Sequence, residues 1–430
     1  MLTHLSLTSV GPAPKMKVDL GSRLNIFTGD NGLGKTFLLD IAWWALTRTW
    51  AGEPAWPRKG EQKKADITYT IQGKTTSGTR SAAFEPRLQV WRPKGQQRPP
   101  MPGLVLYMRI DGGFSLWDPA RNYYKKLAAR DYEEPDRPAA FHFTKKELWE
   151  EKKVGDNVLC NGLLRDWVSW QYKDRHNFLL LEEVLKQLSP HDNETISPDE
   201  PDRLVVGDVR DIPTIKLPYG VIPVTLASAG MQRILSLAYL IVWAYAEHLK
   251  ASKLIGEAPT DRFVILIDEV EAHLHPHWQR SLLPSILSVI TRLGQEGSLQ
   301  RDSSWPSVQI LATTHAPLVM ASMEPRFCAD MDKVFTFSIE NQIVSLEELN
   351  WTKQGDAVGW LVSETFGLRQ ARSREAEIAV EAAEAYMRSD TANLPEHLKN
   401  KMQIHTELLK VLPDHDPFWP RWIVKTEGDS

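Results

Sequence analysis

"GDNGLGKT", residues 29–36, stands between the apolar run "LNIF" (24–27) and the apolar stretch "FLLDIAWWAL" (37–46). The spacing G-x-x-x-x-G-K-T, with a strand predicted before it and a helix after it, is that of a phosphate-binding loop. Gly29, Gly32 and Gly34 let the backbone wrap tightly, with Asp30, Asn31 and Leu33 between them, so that N–H groups point at phosphate oxygens near a helix N-terminus. Lys35 then reaches the β- and γ-phosphates, and the Thr36 hydroxyl ligates Mg²⁺. This stretch therefore predicts an α/β fold built around a bound nucleotide.

A second stretch supplies the acids such a site needs. In "VILIDEVEAHLHPHW" (264–278) a continuous apolar run ends in two carboxylates, the pattern of a buried parallel strand. Asp268 at its carboxyl end is placed to hold the magnesium. Glu269 is placed to orient and deprotonate a water, a task that requires a carboxylate within hydrogen-bond reach. "SVQILATTH" (307–315) reads as another buried strand, and His315 at its end, opening "THAPL", is positioned to hydrogen-bond the γ-phosphate and the water. "LASAGMQRILSLAYL" (226–240) places a Ser and a Gly at the start of an apolar helix, a second anion-binding helix N-terminus.

Around these, residues 2–7, 16–20, 24–28, 65–72, 87–91, 103–110 and 114–117 read as strands, while 35–49, 162–172 and 178–188 read as helices. "SPHDNETISPDEPD" (189–202) reads as a polar loop. No heptad repeat is sustained, which excludes a long coiled coil. In the tail, Ser373 caps a helix bearing Glu375 and Glu377, with Ala379, Ala382, Ala383, Tyr386 and Met387 as its stripe; a second helix aligns Leu398, Met402, Leu409 and Leu412. The final "DPFWPRWIV" (416–424) concentrates aromatic residues, and Pro417 and Pro420 argue against a regular helix there. Its Phe418, Trp419, Trp422 and Ile423 either cover the core of the nucleotide-binding part or present a docking patch. The sixteen tryptophans of the chain read as core filling.

Composition narrows the setting. A 42% hydrophobic and 25% charged chain of net charge −4 is of ordinary globular make-up and no general nucleic-acid coat. Two cysteines, Cys160 and Cys328, form no disulfide framework, consistent with a reducing compartment. The amino terminus lacks a signal-peptide pattern, and the longest apolar run, 234–246, is too short to span a bilayer. A cytoplasmic location with no membrane partner is expected. His273, His275 and His277 invite a metal reading, but Pro276 starts a helix that splits them.

The order of glycine loop, "SAGMQR", "LIDEVEAHLHP" and "TTH" resembles the ABC-type ATPases of the SMC, RecF and OLD class. Together with "THAPLV" and "SETFGL" it is most similar to the PtuA-like ATPases of Septu and retron-associated defence systems. The resemblance implies an ABC-type P-loop ATPase head, a mixed or parallel sheet with helices plus an antiparallel β subdomain. Its lobes would span 1–120 and 215–345, with a mainly helical insertion at 121–214 and a helical tail at 346–430. It implies ATP and Mg²⁺ as ligands, Ser228, Gly230 and Gln232 as the signature segment, His315 as the switch histidine, and the three nearby histidines as part of the D-loop. The Q-loop glutamine of the class has two candidates, Gln72 and Gln89, neither in a diagnostic context. The resemblance also implies a head-to-head dimer, or a larger assembly of dimers, in which one subunit's signature completes the other's site.

Three functions fit these features: a sensor and scaffold in antiviral defence that controls a separate HNH-type nuclease, a RecF-like DNA-maintenance ATPase, and a transporter subunit. The "HLHP" segment and the insertion disfavour the last. Lys59, Lys63, Lys64, Arg92, Lys94 and Arg98 form a basic rim that nucleic acid could use.

Overall fold

A computed structural model describes residues 1–73, 77–95, 101–122, 137–190, 192–296, 307–392 and 394–427. Of the residues singled out above, Arg98 lies outside them. The chain divides into two compact units, Met1–Gly355 and Asp356–Ser430.

The first unit is built on an eight-stranded sheet. Its order is Ile343–Leu349, Asp332–Glu340, Leu24–Gly29, Ser307–Thr313, Arg262–Ile267, Leu104–Met108, Phe114–Trp117 and Phe141–Phe143. The central strands, from Asp332–Glu340 to Leu104–Met108, run parallel, and the flanking pairs are antiparallel. Burial explains the sequence pattern: Leu24–Thr28 and Phe263–Ile267 are buried throughout, as parallel strands covered on both faces must be. A second, antiparallel sheet has the order Lys15–Asp19, Leu2–Thr8, Asp66–Gln72, Ser77–Glu85 and Val90–Pro93. The expected mixed sheet and antiparallel subdomain are thus both present.

Helix Lys35–Thr47 joins the two layers. Leu38, Leu39 and the whole run Ile41–Leu46 are buried. They share one core with Leu5, Ile67 and Tyr69 of the antiparallel sheet and with Phe27, Tyr107 and Leu266 of the large one. A helix apolar on every side is one packed on every side, which fixes the end of the glycine loop against both sheets. The 27-residue helix Ala229–Ile255 is likewise buried from Ile234 to Ala246. No helix among the described residues is long and apolar enough to cross a membrane.

The stretch 121–214 holds helices Leu163–Lys173 and Arg175–Leu188, a short hairpin, and strand Phe141–Phe143 of the large sheet. The expected polar loop is in part a strand. Ser197–Asp202 pairs antiparallel with Ile212–Leu217 at the edge of a three-stranded sheet. Pro198 and Pro201 are tolerated because an edge strand has one side with no ladder to complete.

The second unit corrects three expectations. Residues 418–427 form a regular helix, Phe418–Glu427, despite Pro420. A proline in the first turn removes an N–H that has no partner within the helix. The aromatic cluster packs inside the second unit's own core, apart from Ile423, which is exposed. Phe418, Trp419 and Trp422 are the core of the second, packed with Ala379, Val380, Ala383, Ile404 and Leu408. On helix Lys401–Val411 the buried residues are Ile404 and Leu408, whereas Met402 and Leu409 are exposed. Ile404 and Leu408 are an i, i+4 pair in line with Leu412, which is buried as expected, as is Leu398.

Trp422 is 1% exposed, and its Nε1 donates to His405 Nδ1 at 3.1 Å. Trp422→Ala removes about 3–5 kcal/mol, comparable to the whole stability that a unit of this size holds, about 3–5 kcal/mol. Limited proteolysis of that variant is expected to cut rapidly after residue 355 while the first unit survives. An unchanged digestion pattern would show that Trp422 is not the keystone of this core.

Candidate nucleotide site

The glycine loop closes through backbone conformations that L side chains avoid. Gly29 has φ 117° and Gly34 φ 106°, and a Cβ on Gly29 would lie 2.2 Å from the Phe337 carbonyl oxygen. The loop thus holds its shape because glycine alone fits it. Lys35 turns back over the loop, and its Nζ donates to the carbonyls of Gly29 (2.8 Å) and Asp30 (2.7 Å). Burial pulls its pKa down, while the charges of Glu269, Asp268, Asp30 and Glu271 oppose that shift.

The carboxyl ends of three parallel strands meet at Lys35. Thr36 Oγ1 donates to Asp268 Oδ2 at 2.8 Å, and Thr313 Oγ1 donates to Asp268 Oδ1 at 2.8 Å. The Glu269 N–H donates to Thr313 Oγ1 at 2.8 Å. His315 Nε2 lies 3.8 Å from Glu269 Oε1. That is too far for a hydrogen bond, and it suits two groups that reach one shared partner. Burial, followed by the charge of Lys35, lowers the His315 pKa against the opposing charges of Glu271, Glu269 and Asp30, which favours the neutral ring. The strand stops at Thr313, so His315 lies two residues beyond it rather than ending it. Its N–H and the Thr314 hydroxyl are both held by the Glu271 carboxylate.

Glu269 has φ 48°. For a non-glycine residue this costs about 1–2 kcal/mol, and such strain tends to mark positions that function requires. Arg233, buried on helix Ala229–Ile255, donates from Nη2 to the carbonyls of Asp268 (3.0 Å) and Glu269 (3.1 Å). Asp40, one turn after Thr36, accepts from Tyr107 Oη at 3.0 Å. Burial pushes its pKa up to about 6, the Tyr107 hydrogen bond opposes this, and the nearby Asp268 charge adds to it.

The expected signature residues lie on the same helix start. Ser228 is its N-cap, with Oγ accepting from the Met231 N–H at 3.3 Å. Gln232 accepts from Lys145 Nζ at 2.6 Å and donates to the Thr225 carbonyl at 3.0 Å. Gly230 sits where a Cβ would be 2.5 Å from the His273 carbonyl oxygen. Helix Pro276–Glu296 begins at the proline between His275 and His277, and His277 Nδ1 lies 3.6 Å from Glu194 Oε2. No group of three or more His, Cys, Asp or Glu side chains among the described residues could hold a metal alone. Gln72 closes a strand of the antiparallel sheet, and Gln89 occupies the turn before Val90. The strand beside that of Asp268 instead ends at Met108, whose carbonyl accepts from the Asp268 N–H.

Thr313, Glu271, Arg233, Asp40 and Tyr107 were not assigned from the sequence. Thr313 and Arg233 did carry a signal: a hydroxyl and a cation inside apolar runs must find partners when buried.

Residues 178–321 match the family described as "AAA domain, putative AbiEii toxin, Type IV TA system". The Septu protein PtuA of Bacillus mycoides (strain KBAB4) is 30% identical over 105 residues, which is 24% of this chain and 12% of that protein. Over that stretch the chain is similar to that protein. The retron Vc95 probable ATPase of Vibrio cholerae serotype O1 biovar El Tor is 28% identical to this chain over 60 residues, 14% of this chain and 9% of that protein. The matched stretches thus span only a small part of both relatives. The SMC head domain from Thermotoga maritima superposes with a TM-score of 0.39 at 12% identity, covering 81% of this chain and 99% of that one.

The donor set fits a hard divalent cation. Thr36 Oγ1 and the Asp268 carboxylate are oxygen donors 2.8 Å apart, and Mg²⁺ is typically bound through one or two protein oxygens plus substrate phosphates and water.

Proposed function

We propose that this chain binds and hydrolyses ATP and works as the sensor and scaffold of a bacterial antiviral defence system, controlling a separate effector such as an HNH-type nuclease. The observation that carries the hydrolytic part is the continuous line from Thr36 through Asp268 and Thr313 to Glu269, ending 3.8 Å from His315. A line of this kind, across three strand ends beside a glycine loop, is arranged for phosphoryl transfer to water.

Each residue has a role that follows from its place. Lys35 exchanges the carbonyls of Gly29 and Asp30 for phosphate oxygens, and the loop N–H groups from Gly29 to Thr36 orient the triphosphate. Thr36 and Asp268 hold the cation. Mg²⁺, when bound, neutralises charge on the phosphate oxygens. Glu269 takes a proton from the attacking water, and neutral His315 hydrogen-bonds that water or the γ-phosphate. Ser228, Gly230 and Gln232 act across a dimer, where the helix start they form meets the triphosphate held by the other copy. The chain would then carry half-sites that ATP joins, in a head-to-head dimer or an assembly of dimers.

The likeness to the Septu protein PtuA and to a retron ATPase supports the defence role. A RecF-like role in DNA maintenance is the second reading, favoured by the exposed Lys59, Lys63, Lys64 and Arg92 of the antiparallel lobe; Lys94 in the same region is paired with Asp66. Purification of the tagged protein from its native host, with native mass measurement, separates the two. A bound nuclease is the expected result. Co-purifying DNA that leaves steeply as salt rises, with no nuclease, would favour the second reading, and a membrane permease would contradict both.

A further inference from the structure

We propose that Arg233 is a positioning residue: it ties the first turns of the Ser228 helix to the backbone of Glu269, so that engagement of Ser228 sets the aim of the catalytic carboxylate. This inference rests on the hydrolytic reading above and adds to it the link between the two half-sites.

The helix grips the segment after Asp268 at two points. At the near end, Arg233 Nη2 holds the carbonyls of Asp268 and Glu269 at 3.0 and 3.1 Å. At the far end, Gly230 lies so close to the His273 carbonyl that a Cβ would approach it to 2.5 Å. Both residues that bound the gripped segment are left-handed, Glu269 at φ 48° and His273 at φ 62°. Backbone in that region relaxes unless its surroundings hold it. On its other side the Glu269 N–H is fixed by Thr313. The peptide that aims the Glu269 side chain is therefore held between the end of strand Ser307–Thr313 and the start of helix Ala229–Ile255.

Among the described residues the Nε and Nη1 of Arg233 are buried without a hydrogen-bond partner, so the two carbonyls supply the hydrogen bonds that locate its guanidinium. Four carboxylates, of Asp268, Glu269, Glu271 and Asp111, favour its charge in that place. Movement of Ser228 by a ligand at the helix start thus travels five residues along a rigid helix and arrives at the carbonyl of the base.

The test is a double-mutant cycle with Arg233→Lys and Glu269→Gln on the full chain. An ammonium cannot span two carbonyls as a planar fork does. In the wild-type background, Arg233→Lys is expected to lower kcat about 10–100-fold, as a misaimed group does, with the KM for ATP and the melting temperature nearly unchanged. In the Glu269→Gln background it is expected to lower kcat no further, because the group it aims is already gone. Equal losses in both backgrounds, a rise in KM alone, or unchanged turnover would overturn the proposal. Arg233→Gln, which removes the buried charge but keeps a donor amide, is expected to give the same non-additive loss of kcat and decides the matter if Arg233→Lys does not fold. Absence of wild-type turnover would remove the hydrolytic reading itself, whereas wild-type turnover with additive losses would remove only the coupling.

Discussion

Replacing Glu269 by Gln is expected to lower ATP turnover by about 10²–10⁴-fold, the usual worth of a positioned general base, while ATP still binds. The reasons are local. The Glu269 backbone is fixed by Thr313 and Arg233, so an isosteric amide keeps its place and loses only its basicity. Lys35, Thr36 and Asp268, which hold phosphate and cation, do not contact the altered side chain by any hydrogen bond seen here among the described residues. The variant should also accumulate as the ATP-bound dimer, because the step that dissolves it is blocked. Size-exclusion chromatography with and without ATP, beside a phosphate-release assay, reads both effects. Turnover at the wild-type rate would show that another group activates the water.

The second large effect concerns binding. Lys35→Ala is expected to cost about 2–5 kcal/mol of ATP binding, roughly 30- to 4,000-fold in Kd, as truncation of one member of a buried charge pair does. In the free protein Lys35 already has two good acceptors, the carbonyls of Gly29 and Asp30, and burial lowers its pKa. The ammonium is thus held on the loop in advance, and binding exchanges its partners. Equilibrium titration with a fluorescent ATP analogue measures the loss, and an intact affinity would remove the phosphate-loop assignment.

Much of the site could be read in the sequence because its chemistry restricts residue type and order. Gly29 and Gly34 adopt conformations that only glycine takes easily, and Asp268 ends a strand whose burial on both faces demands an uninterrupted apolar run. These constraints act along the chain and leave a local trace. The polar strand Ser197–Asp202 left none, since an edge strand with two prolines looks like a loop until its partner Ile212–Leu217 is known. The aromatic tail failed for a similar reason. Whether Trp422 is core or surface depends on Ala379, Ala383 and Leu408 from other helices, and the permissive position of Pro420 depends on where its helix starts. Arg233 and Thr313 lay inside quoted motifs, but their partners are backbone groups and a carboxylate brought in from distant segments. The chain fixes its motifs locally and its second layer of contacts only on folding.

The central claim is that the line from Thr36 to His315 is an ATP-hydrolysing site completed by Ser228 of another copy. It is tested most directly by mixing two inactive variants. Lys35→Ala keeps its Ser228 but cannot hold the triphosphate. Ser228→Arg holds the triphosphate but places a bulky cation where a hydroxyl and N–H groups should meet it. Each alone is expected to be nearly inactive in a phosphate-release assay. Random assortment of an equimolar mixture into two-fold dimers restores one intact composite site in each mixed dimer, and hence about a quarter of wild-type turnover. A mixture as inactive as its components, or a fully active Ser228→Arg protein by itself, would contradict the account.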